Sequence, residues 1–280
     1  MGNDVLVFGE IRGGELKKVV RGLISAAATV TGVTGGATDA VLIGAGAASL
    51  AGKIKGFGLR KIFTVEDELL ANYSTEGYAA VLASLVAENK YRYVFMGSTA
   101  MGRDLGPRVA ARADGVMFSD CVEVRMEGGS LVVRRPVYSG KLFVELSPEG
   151  DRPVFVSVRP NNIAPAAESG GSTEISARPS GVTRDMIRAI ATEIVPLAGG
   201  RPDVTEADVI VSGGRAMKEG ANFRMLEELT EVGALIDGVV VQTDGDDNFL
   251  AENLQLIQYD GAAGHFLPVG DVLDFEGQTT

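Results

Sequence analysis

The sequence predicts an α/β protein, with a parallel sheet clad in helices, appended antiparallel strands and a second doubly wound unit behind it. Three observations carry this reading. Short apolar runs alternate with segments of helical period over the first 115 or so residues. The 280-residue chain is 45% hydrophobic with 37 glycines, and its apolar residues are chiefly Ala and Val, which suits strands covered by closely packed helices. A further strand, turn and helix follow at Val209–Val232, after a Gly-, Ser- and Pro-rich stretch.

The elements follow in order. Val5–Glu10 (VLVFGE) reads as a buried strand, and Glu15–Val30 has helical spacing, with Leu16, Val19, Val20 and Leu23 inward and Lys17, Lys18 and Arg21 outward. Asp39–Gly46 is the second strand, Ala47–Lys55 a small-residue helix, and Arg60–Asp67 the third strand. The spacing predicts a helix over Thr75–Lys90 capped by Ser74, with Tyr78, Val81, Leu82, Leu85 and Val86 on its apolar face. Tyr93–Ser98 is the fourth strand and Asp104–Ala113 its helix. Units of this length imply right-handed crossovers. Met117–Pro160 alternates strand residues with the turns Gly128-Gly129 and Pro148–Asp151, so antiparallel hairpins are expected there. The domain reading is residues 1–160, a linker over 161–182, and a second domain over 183–280 whose pattern is incomplete after about 232. Within it, Ala191–Ala198, Gly238–Asn248 and Leu254–Gly261 each hold a candidate strand.

Bulk properties exclude several function classes. A net charge of −11 argues against a nucleic-acid surface, which needs clustered Lys and Arg. A single cysteine, Cys121, forbids an internal disulfide and makes a reducing, cytoplasmic setting the expectation (the mitochondrial matrix in a eukaryote). No signal peptide and no membrane-spanning run is read. One histidine, His265, leaves little for a zinc site or a His-based triad, and no catalytic constellation or metal site is assigned.

Four places are candidates for ligand chemistry. Gly44-x-Gly46 follows a strand but lacks the third glycine of a dinucleotide fingerprint, and reads best as a packing turn. Gly97, Ser98, Thr99 and Gly102 stand between a strand and a helix, as in an anion cradle, with Arg103 and Asp104 alternatively pairing within the turn. Ser212, Gly213, Gly214 and Arg215 end a strand with a double glycine and a forked cation, which suits a pyrophosphate; the alternative is a plain turn with a solvated arginine. His265 is expected near the carboxyl end of the strand over Leu254–Tyr259, as a polar contact or a packing residue. Asp244, Asp246 and Asp247 read as a solvated loop.

Five blocks in combination give the chain a family likeness: Val5–Val19, Tyr93–Arg112, Arg134–Lys141 (RRPVYSGK), Val156–Pro160 (VSVRP) and Arg201–Leu229 with its SGGR turn. The chain resembles the alpha subunit of electron transfer flavoproteins, a family that includes FixB-type subunits. The resemblance covers about residues 1–232. It implies a non-enzymatic electron carrier, a heterodimer with a beta subunit around one FAD, fed by partner dehydrogenases and emptied by a quinone oxidoreductase or another acceptor. It also implies that Arg215 lies at the flavin, with Ser212, Gly213 and Gly214 forming the turn and His265 matching a family histidine. After the SGGR helix the chain departs: Gly238–Val241 stands where the family has a Ser-Arg pair, and the family's Gln-Thr-Gly-Lys loop is not found. Two other readings stay open, a binding or scaffold subunit without FAD, and a nucleotide-hydrolysing enzyme acting at Gly97–Asp104.

Overall fold

A computed structural model describes residues 2–189, 191, 209–233, 239–243, 253–254, 257–260, 265–268 and 273–274. The chain divides into two compact units, Met1–Pro196 and Leu197–Thr280.

In the first unit the elements are β1 (Val5–Gly9), the short hairpin β2 (Ile11–Arg12) and β3 (Glu15–Leu16), α1 (Val19–Thr34), β4 (Thr38–Ile43), α2 (Ala47–Leu50), β5 (Lys61–Val65), α3 (Thr75–Asn89), β6 (Tyr93–Gly97), α4 (Ala100–Arg112), β7 (Val116–Cys121), β8 (Glu123–Glu127), β9 (Ser130–Val137), β10 (Leu142–Leu146), β11 (Val154–Val158) and β12 (Glu174–Ala177). Seven strands form one parallel sheet in the order β12-β5-β4-β1-β6-β11-β7. A separate antiparallel sheet runs β10-β9-β8. The α/β class with appended antiparallel strands is thus as the sequence predicts.

Alternation within each strand splits the core in two. Val5, Val7, Ala40 and Leu42 pack with α1 and with Leu131 and Val133 of β9. Leu6, Phe8, Val41 and Ile43 face the other way, onto Tyr78, Leu82 and Leu85 of α3 and Leu105 and Val109 of α4. Each fully buried side chain of this size contributes roughly 1.5–3 kcal/mol of transfer free energy, so the sheet is held from both faces.

Several boundaries move for identifiable reasons. The first helix starts at Val19, not Glu15, because Glu15 and Leu16 pair with Arg12 and Ile11. It ends at Gly35, whose left-handed φ of 70° lets its amide reach the Thr31 carbonyl. Ser74 caps α3 through the Gly77 amide, as expected. Ala47–Lys55 forms two short pieces, with a 3₁₀ turn over Ala51–Ile54. The Met117–Pro160 stretch is only partly antiparallel, because its outer strands β7 and β11 join the parallel sheet.

Residues 161–182, expected to be a linker, carry the edge strand β12, parallel to β5. Arg178 fastens this segment to α3: its guanidinium meets Glu88 at 2.6 and 2.7 Å and the Ser84 hydroxyl at 2.8 Å. A composition rich in small residues hides a four-residue strand, and the anchor spans some 90 residues of sequence. Hydrogen bonds from Arg178, then from Ser84, hold the Glu88 carboxyl down at about 2, from an ordinary 4.5. A carboxyl lowered on folding stabilises the fold above its unfolded pKa, and that contribution is lost as pH falls toward the folded one. The side chain of Glu88 is 55% exposed, so screening keeps the effect modest. Glu88→Gln is therefore expected to flatten the acid limb of stability between pH 4.5 and 2, read by urea titration at successive pH values. An unchanged slope would dismiss the anchor.

In the second unit, β13 (Val209–Gly213) pairs in parallel with β14 (Val239–Thr243), and α5 (Arg224–Gly233) connects them. The remaining strands pair antiparallel: β15 (Asn253–Leu254) with β18 (Leu273–Asp274), and β16 (Ile257–Asp260) with β17 (His265–Pro268). The candidate strand over Ala191–Ala198 lies almost wholly outside the described residues, as does the Asp244–Asp247 loop.

Candidate functional site

Strand order reverses between β1 and β6, the place where an open α/β sheet ordinarily binds a nucleotide. Here that crevice is filled from within. Thr99 caps α4 by accepting the Gly102 amide at 3.0 Å, and donates its hydroxyl to Glu10 at 2.5 Å. Glu10 is buried, so a carboxylate stands where a phosphate would need positive charge. A Cβ on Gly102 would overlap the Gly97 carbonyl oxygen, so that glycine serves helix-on-strand packing.

The other members of the expected cradle are also engaged. Arg103 Nε donates to the Ser98 hydroxyl at 3.2 Å, and its Nη2 lies 3.6 Å from Asp120. Asp104 accepts from the Tyr73 hydroxyl at 2.8 Å and from Thr75. Of these contacts only the Arg103–Ser98 bond lies within the turn; Asp120, Tyr73 and Thr75 reach it from other elements. Gly44 and Gly46 both have positive φ, and a Cβ on Gly44 would sit 2.7 Å from the Tyr78 hydroxyl, in keeping with a packing turn. Cys121 is buried, which pushes its thiol up to about 12 and leaves it unreactive at neutral pH.

The Ser212–Arg215 turn stands at the carboxyl end of β13. In register, Ser212 lies beside Gln242 and Gly213 beside Thr243, so two parallel strands end together. Ser212 and Arg215 are exposed. The handover to the helix is longer than expected. Two 3₁₀ turns, Arg215–Met217 and Gly220–Phe223, intervene before α5. The amides of Met217, Lys218 and Glu219 are spent on carbonyls inside the turn. Gly213 has a local explanation, since a Cβ there would come within 2.6 Å of Leu226, 2.9 Å of Met217 and 3.3 Å of Phe223. The residues that fit an anionic cofactor group are therefore Ser212 and Arg215, with Gly214 extended between them.

His265 opens β17 and pairs in register with Asp260, the last residue of β16, so its backbone stands beside the carboxyl end of that strand. The surroundings of its side chain fall outside the described residues. Among the described residues no cluster of His, Cys, Asp and Glu could hold a metal ion, and no helix is long and apolar enough to cross a membrane.

Sequence reasoning missed one polar site. Asp120, with a left-handed φ of 61°, accepts both Nε (3.1 Å) and Nη2 (2.6 Å) of Arg159. The Arg159 guanidinium holds the Asp120 carboxyl below its ordinary 3.8. The residues lie 39 apart, and only the VSVRP block hinted at Arg159.

Residues 5–180 match the electron transfer flavoprotein domain. The electron transfer flavoprotein subunit alpha of Bacillus subtilis is 38% identical over 232 residues, covering 83% of this chain and 70% of that protein. The subunit alpha of Clostridium acetobutylicum is 35% identical, with 81% and 69% covered. The FixB protein of Clostridium saccharobutylicum is 32% identical, with 81% and 69% covered. The chain belongs to the electron transfer flavoprotein alpha-subunit family.

Proposed function

We propose that this electron transfer flavoprotein subunit carries electrons through FAD held at the Ser212–Arg215 turn, as a heterodimer with a beta subunit. It accepts electrons from partner dehydrogenases and passes them to a quinone oxidoreductase or another acceptor. The observation that carries the reading is an exposed, forked cation placed directly after a strand end that is level with a second parallel strand end. Bound FAD would supply the reversible acceptance of electrons, since the side chains offer no carrier of their own. Arg215 supplies a fixed, delocalised positive charge, which favours the negatively charged reduced form of a flavin. Ser212 offers a hydroxyl donor beside it, and His265 is a further candidate contact. No side chain need do covalent chemistry, so the subunit acts as a carrier rather than a catalyst.

Co-expression with a beta subunit is expected to give a yellow complex with flavin absorbance. Arg215→Ala is expected to weaken FAD binding about tenfold or more, the scale of one hydrogen bond to a charged group. A colourless complex with the beta subunit bound would overturn the flavin reading. That outcome would favour the second reading, a scaffold subunit without FAD. One observation supports it: packing alone explains Gly213, without a ligand.

A further inference from the structure

At the carboxyl edge of the parallel sheet, on the β11–β7 side, lies a cavity of about 510 Å³. Its walls are Asp120 at the end of β7, Arg159 after β11, Arg135 in β9, and the tight turn Tyr138–Gly140 that leads into β10. Two segments remote in sequence, RRPVYSGK and VSVRP, meet here. The volume is that of a small-metabolite site.

The charges do not balance. Asp120 is the single carboxylate lining the cavity, and it already faces Arg159 at 2.6 Å and Arg103 at 3.6 Å. Arg135 has no acid within 4.0 Å among the described residues. Its Nη1 donates to the Ser119 hydroxyl at 3.3 Å, and its Nε is buried with no acceptor. Arg178 Nε is also unmet, but Glu88 and Ser84 close the rest of that guanidinium. Arg135 lacks such closure, in a chain whose net charge is −11. Arg135 is half-buried, and holding its Nε out of water without an acceptor is costly; an oxyanion would remove that cost.

The turn shapes the mouth. Tyr138, Ser139 and Gly140 all have positive φ, of 51°, 55° and 85°. The Gly140 and Lys141 amides, bonded to Val137 and Tyr138 at 3.2 Å each, fix it. Tyr138 is 76% exposed at the rim.

We propose that this cavity is an oxyanion-binding site for a small polyanion, a phosphate-bearing or polycarboxylate metabolite, received on the guanidinium of Arg135. A planar fork matches both oxyanions through paired N–H donors. Arg159, oriented by Asp120, supplies the second cationic wall. The site lies in the first unit and needs no flavin, so it stands or falls apart from the electron-carrier reading.

The full chain contains no tryptophan, so Tyr138→Trp places a lone reporter on the rim. Its emission is titrated with inorganic pyrophosphate and, separately, with citrate at constant ionic strength. A saturable change with a dissociation constant of about 1 mM or tighter is expected for at least one of them. Response to pyrophosphate alone identifies a phosphate ligand, and response to citrate alone a carboxylate ligand. Arg135→Gln in that background is expected to weaken binding about tenfold or more, while Arg152→Gln, before the amino end of β11, leaves it unchanged. Calorimetry on the unmodified chain repeats the titration without the reporter. If circular dichroism shows Arg135→Gln misfolded, Arg135→Lys keeps the charge without the fork and must weaken binding too. No saturable response to either anion up to about 10 mM, or binding indifferent to Arg135, overturns the proposal.

Discussion

Gly102→Ala is expected to destabilise the first unit by about 2–3 kcal/mol, because the new methyl group has nowhere to go. Its Cβ would overlap the carbonyl oxygen of Gly97 and stand 3.0 Å from the carbonyl carbon. Both are backbone atoms of a buried strand end, so neither can rotate aside. Alanine would gain up to about 1 kcal/mol of helix propensity over glycine, and the overlap outweighs it. The helix must move outward, which also lengthens the 3.0 Å cap from the Gly102 amide to Thr99 and disturbs the 2.5 Å bond from Thr99 to Glu10. For a unit of this size the melting temperature should fall by about 4–12 °C. Ala100→Gly, an exposed change in the same turn, should cost only about 1 kcal/mol. Equal melting temperatures for Gly102→Ala and the parent would show that α4 does not close the crevice in this way.

How much of this was legible in the sequence depends on whether the deciding contact is local. Ser74 at the start of α3 was readable because a cap acts over three residues. The strands β1, β4, β5 and β6 were readable because burial on both faces leaves a continuous apolar run. Edge strand β12 was not, since its pairing with β5 spans over a hundred residues and its composition is that of a loop. The crevice between β1 and β6 misled for a related reason. Gly97, Ser98, Thr99 and Gly102 have the composition of an anion cradle, and what fills it is Glu10, some 90 positions away. The Ser-Gly-Gly-Arg turn was located correctly as a strand end, but Gly213 answers to Leu226, Met217 and Phe223, which only the packed helix reveals. The blocks RRPVYSGK and VSVRP contain Arg135 and Arg159, but neither reveals their meeting with Asp120, which depends on how β7, β9 and β11 are arranged.

Asp39→Ala should cost about 3 kcal/mol, and the reason is the tyrosine beside it more than the arginine. Asp39 sits in β4 with its side chain only 2% exposed. It accepts Nε and Nη2 of Arg60 at 2.9 and 2.5 Å and the Tyr91 hydroxyl at 2.5 Å. Arg60 is half exposed and keeps a second acid, Asp4, at 2.9 Å, so water and Asp4 would satisfy most of it. Tyr91 is fully buried and would be left with an unmet hydroxyl, which alone costs roughly 1–3 kcal/mol. Burial first, and then the hydrogen bond to Asp39, push its ionisation far above the ordinary 10.0, so the hydroxyl stays a neutral donor at any working pH. Asp39→Asn keeps a carbonyl acceptor for Tyr91 and should cost about half as much as Asp39→Ala. Tyr91→Phe removes the donor, and in its background Asp39→Ala should cost at least about 1 kcal/mol less. Urea unfolding of the four variants and the parent measures this cycle directly. If Asp39→Ala costs the same with and without the Tyr91 hydroxyl, the stabilisation belongs to Arg60 alone, and the buried tyrosine contributes only its ring.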